Sequence, residues 1–162
     1  MTNEENSLLS VLMIEDSDTD ALIIQDAISR HRKDARCQRA TTLKAGEEIL
    51  EVGNVDLILL DLGLPDTASP KDTYQHIKKW ADKVPVIIMT NLRDHDLARV
   101  MVHEGAADFL NKDLIAENPT HIEKVIDFAI ERHTISKRLL QDSKDKDALL
   151  SCFMGGYSAS DK

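Results

Sequence analysis

Leu8 to Ile14, Asp56 to Leu60 and Val84 to Met89 are short runs packed with large aliphatic residues. Each is too short for a helix, and none alternates apolar with polar. A strand that is apolar on both sides must be covered on both faces, which is the mark of a parallel sheet. Parallel neighbours in turn need crossover connections, usually helices. The intervening segments meet that demand. Ser17 to Arg32 carries Ala21, Leu22, Ile24, Ala27 and Ile28 on one helical face, with Ser17 or Asp18 as cap. Thr42 caps a helix carrying Ala45, Ile49 and Leu50 that stops before Gly53. Ser69-Pro70-Lys71-Asp72 sets a capping hydroxyl, a proline at the first helical position and an acid at the third. Leu97, Ala98 and Met101 mark a fourth helix ending at Gly105, and a last helix starts near Asn118-Pro119. Ala35–Ala40 and Ala107–Leu110 supply weaker strands.

The order is β-α five times over. It predicts an α/β fold, doubly wound, with a five-stranded parallel sheet and five helices, the last extended, and we take the strand order as 2-1-3-4-5, one of the common doubly wound orders. A chain of 162 residues, 42% hydrophobic and 30% charged, suits one such domain. We place it at residues 1–140, with a flexible tail at 141–162, where the periodicity fails in QDSKDKDALLSCFMGGYSASDK. No apolar run approaches the roughly 18 residues of a membrane span, and the acidic start MTNEENS lacks the zones of a signal peptide. Cys37 and Cys152 lie far apart and form no metal-ligand spacing, so a reduced, cytoplasmic setting is expected. A net charge of −9 argues against a nucleic-acid partner.

The polar residues fall at the carboxyl ends of the strands: Glu15-Asp16 after the first, Asp61 after the third, Thr90 after the fourth, Lys112 after the fifth. Open α/β sheets bind ligands at that edge, where strand order reverses. Each residue has an ordinary reading alone. An aspartate ending a strand is most often a turn residue, acids suit a helix N-terminus, threonine is a common strand residue, and lysine is a solvated charge. Together they crowd three carboxylates, which repel unless a positive group joins them. Only hard oxygen ligands are offered, which selects Mg²⁺ or a similar ion. Such an ion suits a phosphoryl group, with Lys112 and Thr90 for its other oxygens and Asp61, in the centre, as acceptor.

This set resembles the receiver domain of two-component response regulators. The residues that carry the likeness are Glu15-Asp16, Asp61 with Pro65 four residues on, Met89-Thr90, and Lys112 preceded by Gly105-Ala106-Ala107-Asp108-Phe109-Leu110. The resemblance implies a flavodoxin-like fold and Mg²⁺-dependent phosphorylation of Asp61 by a sensor histidine kinase or histidine phosphotransfer protein. It implies Asp16 as a direct metal ligand, Glu15 through water, and the Gly63 carbonyl as a further ligand. Thr90 would be the switch hydroxyl, Phe109 the switch aromatic and Lys112 the phosphoryl contact. Three departures stand out. Asp113 follows Lys112 where the family usually has proline, Asn91 follows Thr90 where a small residue is common, and Gly63 replaces a bulkier residue. Gly63 is expected to open the site and Asn91 to fill part of it.

About 50 residues follow Lys112, and the last helix takes half, so no helix-turn-helix output domain is expected. The expected protein is a receiver that is no enzyme beyond its own phosphorylation and dephosphorylation. It signals by contact with a separate effector, with no membrane insertion and a dimer through the last helix as an option. Its alternatives are a non-phosphorylated scaffold of the same fold, or the receiver fragment of a larger protein. A phosphatase with an aspartate nucleophile lacks room for a cap, and a flavin site lacks a phosphate cradle after the first strand.

Overall fold

In a computed structural model of the chain, residues 8–91 and 95–154 are described. The strands are β1 (Leu9–Ile14), β2 (Ala35–Ala40), β3 (Leu57–Asp61), β4 (Val86–Thr90) and β5 (Asp108–Asn111). The helices are α1 (Asp18–His31), α2 (Leu43–Val52), α3 (Pro70–Ala81), α4 (His95–His103), α5 (Lys112–Glu117) and α6 (His121–Met154). The sheet is wholly parallel, as the aliphatic runs imply, and its order is β2-β1-β3-β4-β5.

Alternate residues of each strand feed two cores. Leu12, Ile14, Ile58, Leu60 and Ile88 pack under α2, α3 and α4, against Leu43, Leu50, Tyr74, Ile77 and Met101. Val11, Met13, Leu57, Leu59, Ile87 and Met89 pack under α1, α5 and α6, against Ile24, Ile28, Ile115, Ile122 and Ile126. No residue from Leu57 to Leu60 or from Val86 to Ile88 has measurable exposure. Gly46 lets α2 close on β1: a Cβ there would lie 2.4 Å from Ile14 Cδ1.

The expected caps form. Ser17 Oγ accepts from Asp20 N at 3.3 Å, Thr42 Oγ1 from Ala45 N at 3.2 Å, and Ser69 Oγ from Asp72 N at 3.1 Å. The carboxyl end of the chain differs from expectation in three ways. Lys112 is the first residue of a short helix and does not end β5. That helix, α5, is additional to the five foreseen. Asn111 caps it, its Oδ1 accepting from Asp113 N at 2.9 Å and Leu114 N at 3.2 Å. Aspartate rather than proline at 113 leaves that amide free to donate. Finally, residues 141–154, read from sequence as the start of a tail, continue α6 as helix. No glycine or proline interrupts them, and Gln141 Nε2 donates to Asp145 Oδ1 one turn on at 2.9 Å. Residues 155–162 of that segment lie outside the described residues. Among the described residues, no helix is long and apolar enough to cross a membrane.

Candidate functional site

Parallel pairing aligns the strand ends. Ile14 lies beside Leu60, Asp61 beside Met89, and Thr90 beside Asn111. The residues just past those ends therefore converge on one cleft of about 250 Å³, which Glu15, Asp16, Asp61, Thr90 and Lys112 line together. A larger cavity of about 500 Å³ opens at the opposite end of the sheet, beneath α6. It is mostly apolar and shares none of these residues.

Glu15 has no measurable exposure, and its Oε1 accepts from Ser17 N at 3.0 Å. Its Oε2 has the Lys112 ammonium at 2.6 Å as an ionic partner, but receives no well-directed hydrogen bond. Lys112, only 7% exposed, also reaches Asp20 Oδ2 at 2.9 Å and Asp61 Oδ1 at 3.2 Å. Burial pushes the Glu15 and Asp61 carboxyls above the ordinary carboxylate range. Lys112 pulls each back in part, while Asp61 acts on Glu15, and Asp16 on Asp61, to raise them further. Burial alone would lower the Lys112 pKa. The hydrogen bond to Asp20 and the close Glu15 and Asp61 carboxylates outweigh it, so the ammonium is held charged.

Glu15, Asp16 and Asp61 each offer a carboxylate oxygen, and these lie within 4.8 Å of one another. The donors are all hard oxygens, and one buried Glu15 oxygen is short of a hydrogen-bond donor. One ammonium faces the cluster together with Asp20. The set fits a divalent cation such as Mg²⁺, which would relieve the remaining repulsion. Asp16 is exposed at the mouth. Gly63 is also exposed, and a Cβ there would meet only Asp61 Oδ2, at 3.6 Å. The glycine thus widens the mouth rather than relieving a clash. Asn91 is exposed on the opposite wall.

Thr90 is 2% exposed and its hydroxyl makes a long bond, 3.4 Å, to Leu110 O, so it is held back on the β4–β5 side. Phe109, in β5, is half-buried and packs against the α2–α3–α4 core. It does not line the cleft.

Comparison with known proteins gives the arrangement a family. The family model described as "Response regulator receiver domain" matches residues 11–127. The chain belongs to the response regulator receiver domain family. Among curated proteins, it is 32% identical over 114 residues to the transcriptional regulatory protein BasR of Escherichia coli strain K12, covering 67% of this chain and 48% of BasR. It is 32% identical over 108 residues to the two-component response regulator ORR3 of Oryza sativa, covering 63% of this chain and 78% of ORR3. The chain spans about half the length of the bacterial relatives at the head of these matches. Among solved structures, a response regulator receiver domain protein from Clostridium thermocellum superposes with a TM-score of 0.62 at 27% identity, over 82% of this chain and 99% of that one.

Two residues of this receiver cleft escaped the sequence reading. Asp20 lies on the first turn of α1 rather than at a strand end, yet it holds Lys112. Arg39, in β2, donates to Glu15 O at 2.9 Å and to Asp16 O at 3.0 Å, and pairs with Asp18 Oδ1 at 2.7 Å. It braces the loop that presents the two acids. The available signal was charge count: five acids between Glu15 and Asp61 on this edge call for more than one cation, and Arg39 stands one residue before the end of β2.

Proposed function

We propose that this receiver domain accepts a phosphoryl group on Asp61 from a phosphohistidine of a sensor kinase or phosphotransfer protein, and signals by contact with a separate effector. The observation that carries the reading is the meeting of Asp61, Glu15, Asp16 and Lys112 in one cleft at the carboxyl edge of the sheet. An Asp61 carboxylate oxygen attacks phosphorus, and the phosphorus–nitrogen bond to the donor imidazole breaks with its electron pair leaving on nitrogen. Glu15, Asp16, Asp61 and the Gly63 carbonyl would hold Mg²⁺, which neutralises charge on the phosphoryl oxygens when bound. Lys112 already lies 3.2 Å from Asp61, so its ammonium can follow the oxygens of the acyl phosphate.

Thr90 is the switch hydroxyl of this reading. Its 3.4 Å bond to Leu110 O is weak enough to exchange for a phosphoryl oxygen. Phe109, half-buried on β5 two residues before Asn111, the register partner of Thr90, is the aromatic that would turn inward into the space vacated. The chain's own chemistry is then limited to taking on and losing the phosphoryl group.

The test is intact mass after incubation with Mg²⁺ and a small-molecule phosphodonor. One phosphoryl group is expected on the wild type and none on Asp61→Asn. Absence of any Mg²⁺-dependent gain would favour a non-phosphorylated scaffold, and sustained turnover of phosphomonoesters would favour a phosphatase. Asn91→Ala in the same assay reads the acyl-phosphate lifetime. A change of several-fold is expected if Asn91 governs water access, and no change would remove that role.

A further inference from the structure

Helix α6 has two faces with different fates. Ile122, Val125, Ile126 and Ala129 bury against the domain, and His133 Nε2 lies 3.0 Å from Ala81 O on the continuation of that face. Away from that buried face stand Phe128, Ile135, Leu139 and Leu149, between 48% and 64% exposed, with Phe128 and Ile135 also at the rims of cavities beside the domain body. At about 100° per residue these four share one stripe, together with Asp142 and Lys146. From Ile135 the stripe steps by four, three, four and three residues: Ile135, Leu139, Asp142, Lys146, Leu149. That is the spacing of a coiled-coil seam.

From Gln141 to Cys152 every residue is exposed, and the side-chain hydrogen bonds of this stretch are local, Gln141 to Asp145 and Ser151 to Ala148. A helix of this length without packing is marginal in water. The two charges inside the seam decide what could cover it. In a parallel pair, Asp142 would face Asp142 and Lys146 would face Lys146. In an antiparallel pair, with Leu139 against Leu149, each Asp142 meets a Lys146. Like charges opposed in a seam disfavour one arrangement, and opposite charges favour the other.

Charge outside the seam agrees. Residues 134–154 carry four basic and three acidic side chains, in a chain whose net charge is −9. The acidity therefore lies in the domain body. Parallel pairing would bring two acidic bodies together, whereas antiparallel pairing sets them at opposite ends of about 30 Å of helix, beyond the Debye length of about 8–10 Å. In this register the described end of one helix, Met154, falls beside residue 134 of the other, where the body begins.

We propose that residues 134–154 of α6 pair antiparallel with the same segment of a second copy of this chain, in the register that sets Asp142 against Lys146 and Leu139 against Leu149. The apolar seam is short, so the dimer is weak and concentration-dependent. It leaves both acidic clefts open, and it does not rest on phosphorylation of Asp61.

Sedimentation equilibrium of the full chain tests it, across a concentration series and repeated with Asp61→Asn. A monomer–dimer equilibrium is expected in both. Asp142→Lys and Lys146→Asp should each weaken the dimer by about tenfold, since each creates two like-charge pairs. The double variant Asp142→Lys/Lys146→Asp should return to within about threefold of the wild type, because the pairs re-form with signs exchanged. A parallel dimer would ignore all three exchanges, so unchanged dimerisation overturns the proposal, as does a strict monomer or a double variant no better than the singles. As a second readout, Leu139→Cys/Leu149→Cys with Cys152→Ser should yield an oxidised dimer whose linked peptides join position 139 to position 149. Linkage of 139 to 139 would overturn the register.

Discussion

β3 joins two regions with opposite energetics within five residues. Leu57 to Leu60 are fully buried, belong to the two apolar cores and need no partner chemistry. Asp61, the next residue, is buried enough for its carboxyl to be pushed up, and shares one ammonium with Glu15 and Asp20. The interior of the sheet stabilises the fold. Its carboxyl edge works against it, because charges are held near one another and away from water. The interior's rigidity is what keeps the edge in place, and the unmet demand of the edge is what leaves it ready for a cation and a phosphoryl group.

The comparison breaks most severely if the interior is emptied. Leu59→Ala is expected to cost about 2–5 kcal/mol, since it removes a fully buried side chain from between α1 and α6. Urea unfolding checks this, and a loss below about 1 kcal/mol would mean that this core is less tightly packed than the burial implies. Lys112→Ala attacks the edge instead. It leaves Glu15, Asp20 and Asp61 without their shared cation, and a loss on the order of 3 kcal/mol is expected at pH 7 without Mg²⁺. The pH dependence separates the two losses. Carboxyls whose folded pKa is raised take up protons more readily in the folded state, so their cost is present above that pKa and fades as pH falls through it. Lys112→Ala should therefore regain stability as pH falls through the raised Glu15 and Asp61 carboxyl pKa values, and on adding Mg²⁺, whereas Leu59→Ala should respond no more than the wild type.

Both regions were legible in the sequence for physical reasons. Continuous aliphatic runs admit few structures, so β1, β3 and β4 were readable, and with them the parallel direction of the sheet. Once the strands were placed, Glu15, Asp16, Asp61, Thr90 and Lys112 fell on one edge by topology. What could not be read came from elsewhere. α5 is six residues long, too short to show a period, and it depends on an Asn111 cap. The α6 extension lacks an inward apolar face, so the pattern that marks a core helix disappears although the helix continues. Asp20 was hidden because its role depends on how the first turn of α1 faces the start of α5, a relation between residues 92 positions apart.

A milder change sharpens the comparison by removing the cost without touching the fold. Asp61→Asn keeps the size of the side chain and discards the charge that burial disfavours. A gain of about 1 kcal/mol is expected at pH 7, with the added stability from Mg²⁺ largely lost. The gain should shrink as pH falls through the raised carboxyl pKa, because the wild-type Asp61 then becomes neutral too. Equal stability of the two proteins at pH 7 would show that Lys112 fully compensates Asp61, and that the edge carries no net strain.

The smallest expected effect comes from a carboxylate with the opposite shift. Asp66 lies on the same loop as the cleft but points at the start of α2, accepting from Leu43 N at 2.9 Å and Lys44 N at 3.0 Å. The slight burial would raise its pKa. The two amides outweigh that and hold the carboxyl below the ordinary range. A lowered folded pKa means that its contribution is present above the unfolded carboxylate value and lost as pH falls through the folded one. Asp66 is exposed, so water screens most of the interaction, and about 0.5 kcal/mol is the expected scale at pH 7 for Asp66→Asn. The difference between the two proteins should close below about pH 4, the reverse of the behaviour at Asp61, where acid removes a cost. A single acid titration of thermal stability, run on the wild type and both variants, therefore reads the sign of each carboxylate. If Asp66→Asn and Asp61→Asn shifted stability in the same direction at pH 7, the contrast between a carboxylate that caps a helix and one that waits for a cation would not hold.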